Sequence, residues 1–301
     1  MTALATPGRA LPATKARRTR GRSATAARYV LLTAAALVFL YPLWWAISSS
    51  VKPAVDIVQH PLAFNPAKIT LDNYVTMLRD VPIGSGFLNT TVVIVCKGVI
   101  TMAFCPLAGF AFAKYRFAGK DFLFGAVLLT LMLPILVLII PLLLEMSKLG
   151  WVNSYQALIL PGSIDAFSIF WMRQIISAVP DELLDAARVD GAGEFGLYWR
   201  IVVPVIRPGL AALGVLTFMN IYNDFVWPVV ITNDTSRQTL QVVLSTLAAN
   251  VSGNKGVGLD FTTVWSQLLA ASSLAMLPVL IVFVVLQRHF INGLLAGSVK
   301  G

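Results

Sequence analysis

Six stretches of this chain are apolar enough to cross a lipid bilayer or nearly so, and polar or charged segments separate them. A crossing helix needs about 20 apolar residues. Residues 29–47, 122–144 and 262–287 meet that demand, or nearly so, without one charged side chain. The pattern predicts spans at 29–50, 87–113, 122–144, 155–176, 205–227 and 262–287. Between the first two, residues 51–86 contain Pro53, Pro61, Pro66 and Pro82 among polar residues and read as a loop with one short helix near 71–78. The fourth span is interrupted by Pro161, Gly162 and Asp165, and residues 228–260 read as a polar loop. The predicted fold class is an all-α polytopic membrane protein with six transmembrane helices. Its expected divisions are a tail at 1–28, the first helix at 29–50, the loop at 51–86, a core of five helices at 87–288 and a tail at 289–301.

Composition agrees with this solvent. Of 301 residues 57% are hydrophobic and 12% charged, and mean hydropathy is +0.78. A soluble domain carries about 25% charged residues. The net charge of +9 does not indicate nucleic acid, because the basic residues follow the loops. With six spans, one side of the membrane collects sixteen Lys and Arg and the other six. Basic loops stay in the cytoplasm, so both termini are expected inside. The basic tail lacks apolar residues to bury and is expected to be unstructured. The apolar run that follows is too long for a cleaved leader, with no small-residue exit behind Trp44 and Trp45. Cys96 and Cys105 stand in one apolar stretch, about 13.5 Å apart along a helix, and read as packing residues rather than a disulfide or metal pair.

One segment differs from the rest. Residues 180–208 read PDELLDAARVDGAGEFGLYWRIVVPVIRP. Pro180 suits the first turn of a helix, and Asp181 and Glu182 complement the positive end of its dipole. Ala186 and Ala187 keep one face low, Gly191 and Gly193 permit a sharp turn, and a second helical stretch follows as far as Pro204. The expected product is a helical elbow with charged flanks, shaped to enter a cleft of another protein.

This stretch resembles the EAA loop of binding-protein-dependent ABC importer permeases, whose pattern is E-A-A-x3-G-x9-I-x-L-P. Asp185-Ala186-Ala187, Gly191, Ile201 and Pro204 fall in register, with Asp185 for Glu and Val203 for Leu as mild departures. The resemblance points to the maltose-type sugar permease branch. It extends to Ser50-Val-Lys-Pro53, Thr70-Leu-Asp-Asn-Tyr74, the run from Gly109 to Gly119, Asn223-Asp-Phe-Val-Trp-Pro228 and the ending from Gln287 to Gly293 and Ala296 to Gly301. Tyr222 stands where the branch often has tryptophan, and the first 28 residues have no counterpart.

The resemblance implies a type I importer permease of the bacterial cell membrane, carrying a sugar or oligosaccharide. Its expected partners are a second permease subunit, a dimer of cytoplasmic ABC ATPase subunits, an extracytoplasmic solute-binding protein and the bilayer. Asp181, Glu182, Asp185, Ala186, Ala187, Arg188, Asp190, Gly191, Gly193 and Glu194 would dock with the ATPase. No cofactor belongs to the chain itself; ATP and Mg belong to the partner, and no G-x4-G-K-[ST] loop occurs here. The same machine could import a polyol, glycerol phosphate or another polar metabolite. A secondary transporter is a different class, and it would leave the elbow without a purpose.

Candidates for the solute path are intramembrane polar residues, which are costly in lipid and by default functional. Lys97 lies mid-span and Asp165 interrupts the fourth span, so the two are a possible pair; alternatively, a shifted helix lets the lysine snorkel. Asn220, Asn223 and Asp224 stand near the end of the fifth span, where they line a path or form a hydrogen-bonded seam between helices. His60 and His289 are expected on opposite sides of the bilayer and share no active site. The acidic residues of the elbow are explained by an amphipathic helix without catalysis, so no enzymatic role is expected.

Overall fold

The computed structural model describes residues 20–63, 65–253 and 261–298, all helix, turn or loop with no strand among them. Residues 1–19 of the expected basic tail lie outside the described residues. Two compact units are distinguished, residues 1–48 and 49–301. The first is built on α1 (Arg20–Ser50), a continuous helix with Pro42 inside it. Its apolar side chains, Phe39 and Val38 among them, are exposed, as a helix surrounded by lipid requires. Helix begins nine residues earlier than the expected boundary at residue 29.

The second unit starts with the short α2 (Ala54–Gln59) and α3 (Asp72–Asp80). Buried Asn73 fastens this cap: its side-chain amide donates to the carbonyls of Ser50 (2.8 Å) and Lys52 (2.7 Å). From Ile83 to Lys114 the chain forms one rod of 32 residues, α4. At 1.5 Å per residue it is about 48 Å long, so its ends extend past a hydrocarbon core of about 30 Å.

Proline then breaks what the apolar pattern suggested to be continuous. The expected third span is two helices, α5 (Lys120–Leu131) and α6 (Ile135–Lys148), meeting at 101°. Pro134 is the cause in the chain, since it lacks an amide donor and restricts the residue before it. The expected fourth span is α7 (Tyr155–Ile159) and α8 (Ala166–Ser177). Pro161 and Gly162, the latter at φ +69°, occupy the gap, and the Asp165 carboxylate caps α8 by accepting from the Ser168 amide at 2.9 Å.

After α8 come α9 (Asp181–Val189), α10 (Glu194–Gly196), a π-helical turn at Leu197–Val202 and α11 (Val203–Val205). The chain bends by 80° into α12 (Arg207–Asn223), and α13 (Val226–Ile231) follows. The stretch expected to be a polar loop holds α14 (Leu240–Gly253), which packs on α15 and α4. Its apolar residues were masked by polar flanks on both sides. Last comes α15 (Phe261–Ser298); helix thus continues through most of the expected C-terminal tail.

By length and composition α1, α4 and α15 can each cross a membrane, and the two bent pairs raise the number to five. The expected span beyond these five is the fourth, the α7–α8 segment, which is broken. Three buried clusters hold the second unit together. Phe110, Met172, Ile176, Leu184, Leu197 and Leu213 join α4, α8, α9 and α12. Met77, Ile83, Tyr222, Leu240 and Val264 fasten the opposite end of α4, and Val93, Leu158, Trp227 and Ile231 lie between.

Candidate functional site

The elbow forms as its residues dictate. Helix α9 ends in a Schellman turn: the Ala192 amide donates to the Ala187 carbonyl (2.9 Å) and the Gly191 amide to the Arg188 carbonyl (3.0 Å). Gly191 stands at φ +81°, a conformation that a residue with a Cβ adopts only under strain. Leu184, Ala187 and Leu197 turn inward onto α4 and α8.

Most of the elbow's charges are engaged with one another or with the end of α4. The Lys114 ammonium donates to Asp181 Oδ1 at 2.6 Å and to the Val179 carbonyl. The Tyr115 hydroxyl donates to the Glu194 carboxylate. Arg188 reaches Asp185 at 3.0 Å and Glu194 at 3.3 Å. The hydrogen bond from Lys114 holds the Asp181 carboxyl below its ordinary range, and those from Tyr115 and then Arg188 do the same for Glu194. Burial first, then the Glu194 carboxylate, pushes the Tyr115 hydroxyl up to about 12, so it keeps its proton.

The outward face is less polar than the sequence suggested. Glu182, Asp185, Ala186 and Asp190 are exposed, as are Gly191 and Gly193. Beside them Val189 is 88% and Phe195 75% exposed, and Leu183 and Trp199 are also open. Large apolar groups thus stand open on a structured turn. Ala187, by contrast, is 8% exposed and packs in the core, since it lies about 100° round the helix from Ala186.

A second site lies in the helix bundle. Lys97, Asp165, Asn220 and Asp224 come together around a cavity of about 530 Å³, with Thr217 and Gly162 in its wall. Two helix breaks bring them there: Asp165 caps the start of α8 and Asp224 follows the end of α12. Gly162, whose φ of +69° favours glycine, lies beside the amine: a Cβ there would be in ordinary contact with Lys97 Nζ at 3.6 Å. Both carboxylates line this cavity with Lys97. Neither is among the ion pairs within 4.0 Å in the described residues, and Asp165 is engaged by Ser168 instead. Asn223 is not among the lining residues; its side chain is exposed and donates to the Met219 carbonyl of its own helix at 2.8 Å.

Residues 106–295, more than half of the chain, match the family described as binding-protein-dependent transport system inner membrane component. The chain belongs to this family.

Its relatives cover nearly their whole lengths. The arabinooligosaccharides transport system permease protein AraQ of Halalkalibacterium halodurans is 35% identical over 88% of this chain and 93% of its own. The lactose transport system permease protein LacG of Rhizobium radiobacter is 33% identical over 91% and 95%. The fold is also that of a chain in the crystal structure of a bacterial ABC transporter involved in the import of the acidic polysaccharide alginate. There the TM-score is 0.78 at 25% identity, covering 92% of this permease and all of that chain. This inner-membrane component is therefore a multi-pass membrane protein of a binding-protein-dependent transport system.

Sequence reasoning missed three features of the permease: the outward Val189 and Phe195, the contacts of Lys114 and Tyr115, and the placement of Asp224 in one cavity with Lys97. Val189 and Phe195 flank the Gly191 turn, so apolar residues at a turn were the available signal. The other two join residues far apart in the chain, for which spacing carries no signal.

Proposed function

We propose that this chain is one of two permease subunits of an ATP-driven sugar or oligosaccharide importer, and that its elbow docks in a groove of a cytoplasmic ATPase subunit. The observation that carries this is the elbow itself. Its turn is fixed by Gly191, its interior is fastened to α4 and α8, and Val189 and Phe195 project from it. In this reading both termini and the elbow face the cytoplasm, in keeping with the excess of basic residues on that side. A solute-binding protein delivers cargo at the opposite face. Two ATPase subunits, which hold ATP and Mg, close and displace the elbows, and the helices alternate between outward-facing and inward-facing states.

The cavity around Lys97 contributes to the solute path. Its hydroxyls, amide, ammonium and carboxylates offer donors and acceptors to a polyhydroxylated cargo. The sugar assignment is supported by the arabinooligosaccharides and lactose for which AraQ and LacG are named.

The test uses the complete importer in cells that depend on it for growth on its solute. Val189→Asp and Gly191→Pro should abolish uptake while the permease still inserts in the membrane at its normal amount. Undiminished uptake by either variant would count against docking.

A further inference from the structure

We propose that Lys114 and Tyr115, at the end of α4, form a clamp that transmits displacement of the elbow to the α4 rod; the inference rests on the docking reading above. The ordinary role of a lysine in the last turn of a helix is to complement its own dipole and carbonyls. Lys114 instead leaves its helix. Its ammonium donates to the carbonyl of Val179, 65 residues later, and to the carboxylate of Asp181, on either side of Pro180. It thereby holds the entrance to α9.

The next residue holds the other arm. The Tyr115 hydroxyl donates to Glu194, the first residue of α10. Arg188, in the last turn of α9, closes the figure by contacting Glu194 and Asp185. The Tyr115 ring meets the buried Phe110 ring edge-on at 5.3 Å, and Phe110 in turn packs on Tyr198 of the elbow's second arm at 5.4 Å. Two consecutive residues of one helix end thus hold both sides of the turn.

Exposure separates this role from docking. The Lys114 side chain is 6% exposed although its partner Asp181 is 74% exposed, so Lys114 offers no surface to a partner. The helix it terminates is continuous through Pro106 and closely packed. At Gly109 an added Cβ would stand 2.8 Å from Met172 Cβ, so α4 and α8 are in contact at backbone range. Lys97 lies on the same rod about 25 Å from Lys114, and a displacement at the clamp therefore reaches the charged cavity. Lys114 and Tyr115 are positioning residues, and they assign a role to the Gly109–Gly119 stretch that the elbow alone leaves unexplained.

The test uses the complete importer in lipid nanodiscs, with spin labels on Leu88→Cys and Lys148→Cys in a background lacking Cys96 and Cys105. Distances are compared without nucleotide and after trapping with ATP and vanadate. Lys114→Met should keep its ATPase subunits through purification and hydrolyse ATP, yet show less than about a third of the distance change of the parent. Lys114→Arg should restore most of it, and Tyr115→Phe, which removes only a hydroxyl, should reduce it. A full distance change in Lys114→Met or in Tyr115→Phe overturns the clamp. Loss of the ATPase subunits from Lys114→Met also overturns it, because Lys114 would then serve docking. A parent permease that holds no ATPase subunits is a separate result, and it refutes the docking reading itself.

Discussion

Two glycines on one helix should respond to alanine in opposite ways. Gly98 and Gly109 both lie within α4. A Cβ at Gly98 would meet nothing within 4 Å, whereas at Gly109 it would stand 2.8 Å from Met172 Cβ, 2.9 Å from the Arg173 nitrogen and 3.0 Å from the Met172 carbonyl carbon. Ordinary contact begins near 3.4 Å, so α8 must retreat by roughly half an ångström or more, and the obstacles include backbone that no rotamer change can move. Overpacking of this kind costs about 1–3 kcal/mol. Both variants gain the same helix propensity, about 0.5–1 kcal/mol over glycine. That gain cancels in the comparison, and the steric cost remains. At about 2–4 °C per kcal/mol for a chain of this class of size, Gly109→Ala should melt several degrees below Gly98→Ala. Thermal unfolding of the purified permease in one detergent measures this. Equal midpoints would refute the close approach of α4 and α8.

Other expectations follow from single contacts. Asn89 is buried and donates to the carbonyls of Ser236 (2.9 Å) and Gln238 (2.8 Å) while accepting from Tyr155 (2.6 Å). Asn89→Leu strands these partners and should cost about 2–3 kcal/mol, read as a lower unfolding midpoint; an unchanged midpoint would mean that the contacts contribute nothing. The carboxyls of Asp181 and Glu194 are held below their ordinary values. Their contribution is therefore complete above about pH 5, beyond the ordinary carboxylate range, and is lost as pH falls from there through the lowered values. ATP-coupled uptake should show no elbow-dependent step between pH 5 and 8, and a step near pH 6 that vanishes in Glu194→Gln would contradict this. In a double-mutant cycle on uptake, Lys97→Met should couple to Asp224→Asn by more than about 0.5 kcal/mol. It should couple less to Asp165→Asn, because Ser168 already engages that carboxylate; the reverse order would refute the cavity geometry.

Much of this architecture could be read from the chain. Uncharged runs marked the long helices because lipid admits few alternatives, and Pro180, Gly191 and Pro204 marked the elbow because each restricts the backbone locally. What remained hidden depends on contacts between distant residues. A run of apolar residues such as 122–144 has the same hydropathy whether Pro134 bends it or a neighbouring helix keeps it straight, and here the chain turns by 101°. Helix α14 was obscured because its apolar face covers α15 and α4 and its flanks are polar. The adjacent alanines of the elbow could not be told apart by residue type, although Ala186 is exposed and Ala187 is buried. Lys97 and Asp165 were singled out as costly in lipid, and the structure brings both to one cavity. It also brings Asp224, a solute-path candidate that the sequence placed at the end of the fifth span without connecting it to Lys97.

In the proposed function the elbow couples the permease to a nucleotide-driven partner. Solute accumulation in proteoliposomes tests it most directly, comparing the purified permease pair alone with the same pair carrying its ATPase subunits, solute-binding protein and MgATP. Accumulation should occur only with the ATPase subunits and hydrolysable ATP present. Accumulation by the permease pair alone, at a comparable rate, would contradict it.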